Sequence, residues 1–254
     1  MIWLIAAFFA TALLYASVGF GGGSTYTALL ALGGVDFRIL PAISLLCNII
    51  VVTGGVIRFH RAGLLDWKRA LPLALIAAPF AWLGGLAPIK ETTFLTLLAL
   101  SLLVAGLTLL VQREVPESVT VDVIPPKRAN AGTMFVAALL GALAGLVGIG
   151  GGIFLAPYLH FTRWGGAKAI AAAASLFILI NSIAGLIGQS LKLSSADHFP
   201  ALAGYWSLAL AVLVGGQIGS VLGIRLFSAA LLRRMTAVLI LYVAGQLLWK
   251  LYIA

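Results

Sequence analysis

Apolar residues in this chain fall into long unbroken runs, not into the alternating or one-faced patterns of soluble strands and helices. Six runs, 39–57, 70–89, 92–112, 169–190, 201–224 and 235–253, predict membrane-crossing helices, because about 20 residues at about 1.5 Å rise span the hydrocarbon of a bilayer. Two further regions are apolar but interrupted. Residues 1–35 are broken by Gly19-Phe20-Gly21-Gly22-Gly23-Ser24, and residues 131–162 by Gly148-Ile149-Gly150-Gly151-Gly152. A segment of about 18 residues precedes each glycine cluster, and one of about 10–12 follows it, too short to cross a bilayer. The polar stretch 113–130, with Pro116, Pro125 and Pro126, is the one convincing linker. It divides the chain into a first transmembrane repeat, 1–112, and a second, 131–254.

The two glycine clusters match at an offset of 129. Asn48 lies 25 residues after Gly23, Asn181 lies 29 after Gly152, and each is followed seven residues later by a glycine, Gly55 or Gly188. The difference of four is about one helical turn, which preserves the face. Broken segments in corresponding positions of two halves point to the binding site of a secondary transporter.

Composition and charge sharpen the picture. Of the 254 residues, 62 % are hydrophobic and 9 % charged, against about 25 % charged in soluble domains. A water-soluble enzyme, a disordered protein and a nucleic-acid-binding domain are therefore disfavoured. The net charge of +9 reads as membrane topology, because the basic residues lie between apolar runs. If each broken region is a hairpin and loop 58–69 is cytoplasmic, twelve Lys and Arg fall inside. They are Arg58, Arg61, Lys68, Arg69, Arg113, Lys127, Arg128, Arg163, Lys168, Arg225, Arg233 and Arg234, with Arg38, Lys90, Lys192 and Lys250 outside. If each broken region crosses once, the division is 9 to 7. The positive-inside rule selects the hairpins. Each half then makes three net crossings, so the halves are inverted, both termini are extracytoplasmic, and 113–130 is a cytoplasmic linker. Met1 to Val18 lacks the basic start of a secretory signal.

Backbone leaves helical pairing inside a membrane only where protein or a water-filled cavity satisfies it. Each break places the N-terminus of a short helix near the midplane, where free N–H groups and the helix dipole favour an anion. These N-termini are expected at Ser24-Thr25 and Ile153-Phe154; the first adds hydroxyls and the second offers backbone only. The expected cradles are Gly21, Gly22, Gly23, Ser24 and Thr25 in one half and Gly150, Gly151, Gly152 and Ile153 in the other. Asn48 and Asn181 are the candidate side chains, since an amide donates to oxyanions without carrying charge into the bilayer. Ser44 shares the face of Asn48, and Gln189, Gln217 and Gln246 are further polar residues within spans. Arg38 and Lys168 are placed to flank the two mouths of a cavity. Gly141-x-x-x-Gly145 and Gly215-x-x-x-Gly219 read as helix-packing sites. Trp3, Trp67, Trp164 and Trp249 read as interfacial residues, and Trp82 and Trp206 as packing or cavity wall.

No Asp or Glu lies within a predicted span, so a carboxylate proton relay is missing. Among His60, His160 and His198, His160 is the best placed for proton linkage. No cluster suggests a metal or a cofactor, no Ser-His-Asp constellation suggests hydrolysis, and neither glycine run continues as a nucleotide phosphate loop. Cys47, the one cysteine, sits in an apolar run as a small core residue.

With its paired Gly19-x-Gly21-Gly22-Gly23 and Gly148-x-Gly150-Gly151-Gly152 motifs, the chain resembles the sulfite exporter TauE/SafE family, also called the toluene sulfonate uptake permease family. Arg58-Phe59-His60-Arg61-Ala62-Gly63-Leu64-Leu65-Asp66-Trp67 and Pro157 add to the resemblance, although the first half has Ala28 where the second has Pro157. The resemblance covers essentially the whole chain. It implies transport of sulfite, thiosulfate or organosulfonates across the prokaryotic cytoplasmic membrane.

The expectation is an all-α, multi-pass membrane protein of two inverted four-segment repeats, each a Gly-broken re-entrant hairpin plus three transmembrane helices. It is expected to move a small sulfur-containing anion by alternating access and not to be an enzyme. A non-transporting membrane assembly protein and an anion channel are the rival readings. Expected partners are the small anion, the lipid bilayer, a coupling proton or sodium ion and a second copy of the chain, with no nucleic acid.

Overall fold

A computed structural model of the chain describes residues 1–17, 19–111, 131–195, 199–222 and 229–253. The expected linker 113–130 lies outside the described residues. Among the described residues ten α-helices follow in order: α1 Ile2–Ser17, α2 Gly23–Leu32, α3 Leu40–Arg61, α4 Trp67–Leu86, α5 Glu91–Val111, α6 Ala131–Val147, α7 Gly152–Phe161, α8 Ala167–Ser195, α9 Trp206–Leu222 and α10 Ala229–Ile253. A 3-10 segment, Phe199–Tyr205, leads into α9. There is no strand among the described residues.

Among the described residues, five helical stretches are long and apolar enough to cross a membrane: Leu40–Arg61, Trp67–Leu86, Glu91–Val111, Ala167–Ser194 and Leu202–Ser220. The sixth predicted run, 235–253, lies within the 25-residue α10. The segments before the glycine clusters, α1 and α6, have 16 and 17 residues, and the ones after them, α2 and α7, have 10 each.

Both short helices fold back along their longer partners. In the first pair Tyr15 meets Thr25, Phe8 stacks on Tyr26 with ring centroids 4.7 Å apart, and Trp3 lies against Gly33. In the second, Gly151 lies against Leu140 and Ala144, and Thr133 reaches Tyr158 at 3.2 Å. Contacts run down one helix as they run up the other, so each is an antiparallel hairpin.

Glycine sets how the remaining helices approach. On α6, Gly141 faces the Ala77 carbonyl of α4, and Gly145, one turn on, faces Ala81. On α9, Gly215 faces the Phe9 carbonyl of α1, and Gly219 faces Leu13. Both predicted small-residue pairs therefore pack backbone on backbone, as in membrane helix interfaces. Because the contacts advance together, α4 is parallel to α6, and α1 to α9. Gly185 and Gly188 of α8 pack in the same order on Ala81 and Gly85 of α4, which are parallel as well. Helix α3 crosses α8 the other way: Leu45 opposes Gly185, while Gly55 opposes Ser175. The packing is reciprocal. Helix α4 of the first half leans on α6 and α8 of the second, and α9 of the second leans on α1 and α3 of the first.

Polarity runs opposite to that of a soluble fold. Leu75, Leu83, Leu100, Leu107, Phe135, Leu139 and Ile187 face outward, whereas Ser24, Thr25, Thr27, Ser44, Asn48, Ser175, Asn181, Ser182 and Gln189 are buried. This is the distribution expected when the surroundings are lipid and polar groups must find partners inside. Trp82 and Trp206 are exposed and line no interior wall, while Trp164 is buried; the expected places of these three are corrected accordingly. Trp164 lies under Arg69, whose guanidinium stacks 4.0 Å from the ring and donates to the Trp164 carbonyl.

The segment 58–67 runs from the last turn of α3 through the connection 62–66 to the start of α4. Gly63 takes φ +68°, Asp66 caps α4 by accepting the Arg69 N–H at 3.3 Å, and Trp67 Nε1 donates to His60 Nδ1 at 3.0 Å.

A methyl group at Gly145 would collide with the Ala81 backbone, which cannot swing aside as a side chain can. Gly145→Ala should lower stability in detergent by about 1–3 kcal/mol. Gly245→Ala, on α10 with nothing within 4 Å, should stay within about 0.5 kcal/mol of wild type. Thermal melts of the two variants check both.

Candidate functional site

The two breaks have the same local construction. Gly22 and Gly151 stand before their short helices in the left-handed region, at φ +86° and +75°, where a side chain costs roughly 1–2 kcal/mol. Gly19 and Gly148, also offset by 129, repeat the match at +85° and +82°. Helix α2 begins its ladder with Tyr26 N–H to Gly22 O at 3.0 Å, and α7 with Leu155 N–H to Gly151 O at 3.1 Å. The N–H groups of Gly23, Ser24 and Thr25, and of Gly152 and Ile153, stand ahead of those bonds, at the positive end of each helix dipole. The helices start at Gly23 and Gly152, one residue earlier than Ser24 and Ile153.

Hydroxyls on the long helices tie the breaks across the two halves. Ser44 Oγ on α3 lies 2.7 Å from Gly23 O and 3.0 Å from Gly148 O. With one proton it donates to one carbonyl at a time. Ser175 Oγ on α8 donates to Gly19 O. Each half thus supplies a serine to a carbonyl that opens the break of the other. Thr25 Oγ1 pairs with Tyr15 OH at 2.8 Å, and Thr27 Oγ1 donates to Gly23 O at 3.0 Å.

Like Ser44, Asn48 lies against both breaks. A Cβ built on Gly21 would meet its Oδ1, one on Gly23 would meet its Nδ2, and one on Gly150 would stand 2.7 Å from Nδ2. The residue is fully buried, and neither amide atom has a hydrogen-bond partner. Such a group is destabilising by about 1–3 kcal/mol unless something fills its needs. Ser182 Oγ, also buried and unpartnered, lies 3.3 Å from the same Gly150 position. Tyr26 OH, unpartnered as well, faces Gly22 at 3.2 Å.

Asn181 does not occupy the counterpart of Asn48. The side chain set against Gly150 and Gly152, as Asn48 is against Gly21 and Gly23, is Ile178. The pairs Asn48 with Ile178, Leu45 with Ser175 and Gly55 with Gly185 share an offset of 130, whereas Asn48 and Asn181 differ by 133. Asn181 Nδ2 turns back to donate to Phe177 O at 2.8 Å, leaving Oδ1 buried without a partner. The site is thus polar on its first-half side and largely apolar on its second-half side, with Ser182 the exception. Sequence reasoning missed Ser182, Ser175 and Tyr26; position on the inward face of α8 or α2 was the only available signal.

All eleven expected site residues are buried, so this conformation closes the breaks off from solvent. The other candidates lie elsewhere. Gln189 Nε2 donates to Gly145 O at 2.9 Å, tying α8 to α6. Gln217 and Gln246 are exposed, and Gln246 Nε2 reaches Tyr242 OH at 3.3 Å. Arg38 is exposed, 3.8 Å from Asp36, and borders an open cavity of about 270 Å3 with Phe37, Glu91 and Leu95. Among the described residues no His, Cys, Asp and Glu group could hold a metal.

The architecture is that of a multi-pass membrane transporter: apolar spanning helices around two broken helical hairpins, with buried polar groups at the breaks. The family model described as Sulfite exporter TauE/SafE matches residues 4–247, and the chain belongs to that family. The chain is 34 % identical over 248 residues to a Sinorhizobium fredii protein described as "Probable membrane transporter protein y4hK", covering 98 % of each. It is 31 % identical over 193 residues to a Xylella fastidiosa "Probable membrane transporter protein", covering 72 % of this chain and 69 % of that one. No solved structure matches. The family is one of membrane transporters and not of enzymes, and with the spanning helices it places the chain in the cell membrane as a multi-pass protein.

If the Asn48 amide serves a ligand and not the fold, Asn48→Leu should hold or raise the melting temperature, since it removes a buried group without partners. A fall of about 1 kcal/mol or more in detergent unfolding would assign Asn48 to the fold.

Proposed function

We propose that this protein is a secondary transporter of a small sulfur-containing anion, a sulfite, thiosulfate or organosulfonate, working by alternating access across the cytoplasmic membrane. The single observation that carries the site is the Asn48 amide, buried without partners against Gly21, Gly23 and Gly150, where two helix N-termini end. Donors of that kind, aimed into a closed apolar interior, stabilise negative charge without a compensating cation. The sulfur chemistry rests on the family, whose description names sulfite.

In this reading the breaks lie near the bilayer midplane and the halves are inverted. The parallel course of α4 with α6 and α8, and of α1 with α9, supports it, as does the opposed course of α3 and α8. If each broken hairpin were one continuous crossing, α4 and α8 would run in opposite directions. Residues Gly21 to Thr25 and Gly150 to Ile153 form the cradles, and Asn48 orients the oxygens. Asn181, whose Nδ2 is held by Phe177 O, has only its Oδ1 without a partner and can bind an oxyanion only through a proton that the ligand carries. Alternating access exposes the cradle to one side at a time, and the closed site of this conformation suits an occluded state. A proton or sodium gradient drives the cycle, and a second copy of the chain is compatible with the exposed apolar faces.

The test is flux of radiolabelled sulfite, thiosulfate and a taurine-like sulfonate into proteoliposomes with imposed proton and sodium gradients. Saturable flux of one of them that follows a gradient is expected. Unsaturable currents would make the protein a channel. No flux of any of the three from folded, inserted protein would overturn the substrate class. Gly23→Ala, whose methyl falls on the Asn48 amide, should reduce that flux at least about tenfold, the weight of one charge-assisted hydrogen bond.

A further inference from the structure

Buried polar atoms without partners say what a ligand must bring. At the breaks they are of both kinds. Asn48 Nδ2, Ser182 Oγ and Tyr26 OH can donate; Asn48 Oδ1 can only accept. Exchanging the oxygen and nitrogen of Asn48 changes nothing, because neither end has a partner and one remains a pure acceptor. A fully ionised oxyanion offers acceptors alone. It would satisfy the amide N–H and leave the carbonyl oxygen facing negative charge.

No charged side chain compensates a dianion here. Asn48 lies on α3, which packs against α1, α2, α6, α8 and α9. The titratable groups on α1, α2 and the middle of α3 are Tyr15, Tyr26 and Cys47, and α6 and α9 have none. The charges of α3 itself, Arg58 and Arg61, follow with His60 at its last turn; the Arg58 guanidinium reaches back against Gly54, still roughly 9 Å along the helix from Asn48. On α8, Lys168 and Lys192 sit in the first and last turns. Helix α7 adds Tyr158 and His160, the latter at its final turn. Two negative charges held in such an interior would be left without a counter-ion, at heavy desolvation cost.

We infer that the site takes its substrate as a monoanion that still carries one proton, with Asn48 and Ser182 as the side chains that bind it. For sulfite this is hydrogensulfite, which donates through its own O–H to the amide oxygen and accepts from the amide N–H, the Ser182 hydroxyl and the helix N-termini. Each substrate ion then carries one proton across with it. No side chain has to take up or release that proton, in keeping with spans that lack Asp and Glu. The inference rests on the transport reading above and narrows its substrate class to sulfite, because thiosulfate and organosulfonates carry no acidic proton on the anion near neutral pH.

The experiment is initial-rate sulfite uptake by the full chain in proteoliposomes, from about pH 6 to about pH 8. Above the anion's own titration, KM in total sulfite should rise about tenfold per pH unit and stay constant when expressed as hydrogensulfite. Methanesulfonate, with the same charge and no acidic proton, should compete poorly. Asn48→Leu and Ser182→Ala should each raise KM about tenfold or more. His60→Gln and His160→Gln should keep the wild-type pH profile. A KM in total sulfite that is flat with pH, equal competition by methanesulfonate, or a profile abolished by either histidine substitution would overturn the inference while leaving transport intact. Wild-type KM in both Asn48→Leu and Ser182→Ala would remove those residues from it. No uptake of any sulfur anion by folded protein would overturn the transport reading itself, and this inference with it.

Discussion

Backbone that leaves its helix inside an apolar interior must find partners there, and everything around the two glycine breaks answers to that constraint. The breaks open carbonyls at Gly19, Gly23 and Gly148. Ser175 of α8 donates to Gly19 O, Ser44 of α3 lies within reach of Gly148 O and Gly23 O, and Thr27 also serves Gly23 O; the serine contacts that reach from one half into the other fix where the two long helices cross. Only with α3 and α8 so placed does the Asn48 amide stand against both breaks at once. The first N–H groups of α2 and α7 stand ahead of the helix ladders, where the transport reading places its anion. The same bonds that hold the breaks in shape therefore define the space between them.

Much of the fold could be read from the sequence, because the features that build it are compositional. Glycine triplets announce the breaks, run lengths announce the short helices, and small residues four apart announce the close interfaces. The register of α3 against α8 could not be read. Equal spacing from Asn48 and Asn181 to their following glycines suggested equivalence, yet the contacts pair Asn48 with Ile178. The connection 33–39 is two residues longer than 162–166, and that difference is absorbed where the long helices begin, a place that spacing within each half does not report. Ser175 and Ser182 looked like ordinary small residues on an alanine-rich helix. Trp164 looked interfacial because it sits at a segment end, but the Arg69 guanidinium stacks on it and buries it.

The repeat is thus closer in backbone than in side chains. Left-handed glycines recur at the same phase, while an amide in one half faces isoleucine in the other. Such division is economical: the shared backbone supplies two helix N-termini aimed at one place, and the differing side chains give that place a polar wall and an apolar one. In the transport reading, a ligand held there would not meet two identical faces, and α3 would set its orientation.

Reciprocal packing carries a consequence for how the protein is made. Helix α4 buries its Ala77, Ala81 and Gly84 face against α6, and α9 lies on α1. While the ribosome is still making the linker, α4 has no partner for that face, and α1 waits longer still for α9. The first half enters the bilayer with its tightest surfaces uncovered, and lipid must occupy them until the second half arrives. Assembly is therefore a late, whole-chain event, and a truncated first half would remain an open intermediate exposed to membrane quality control.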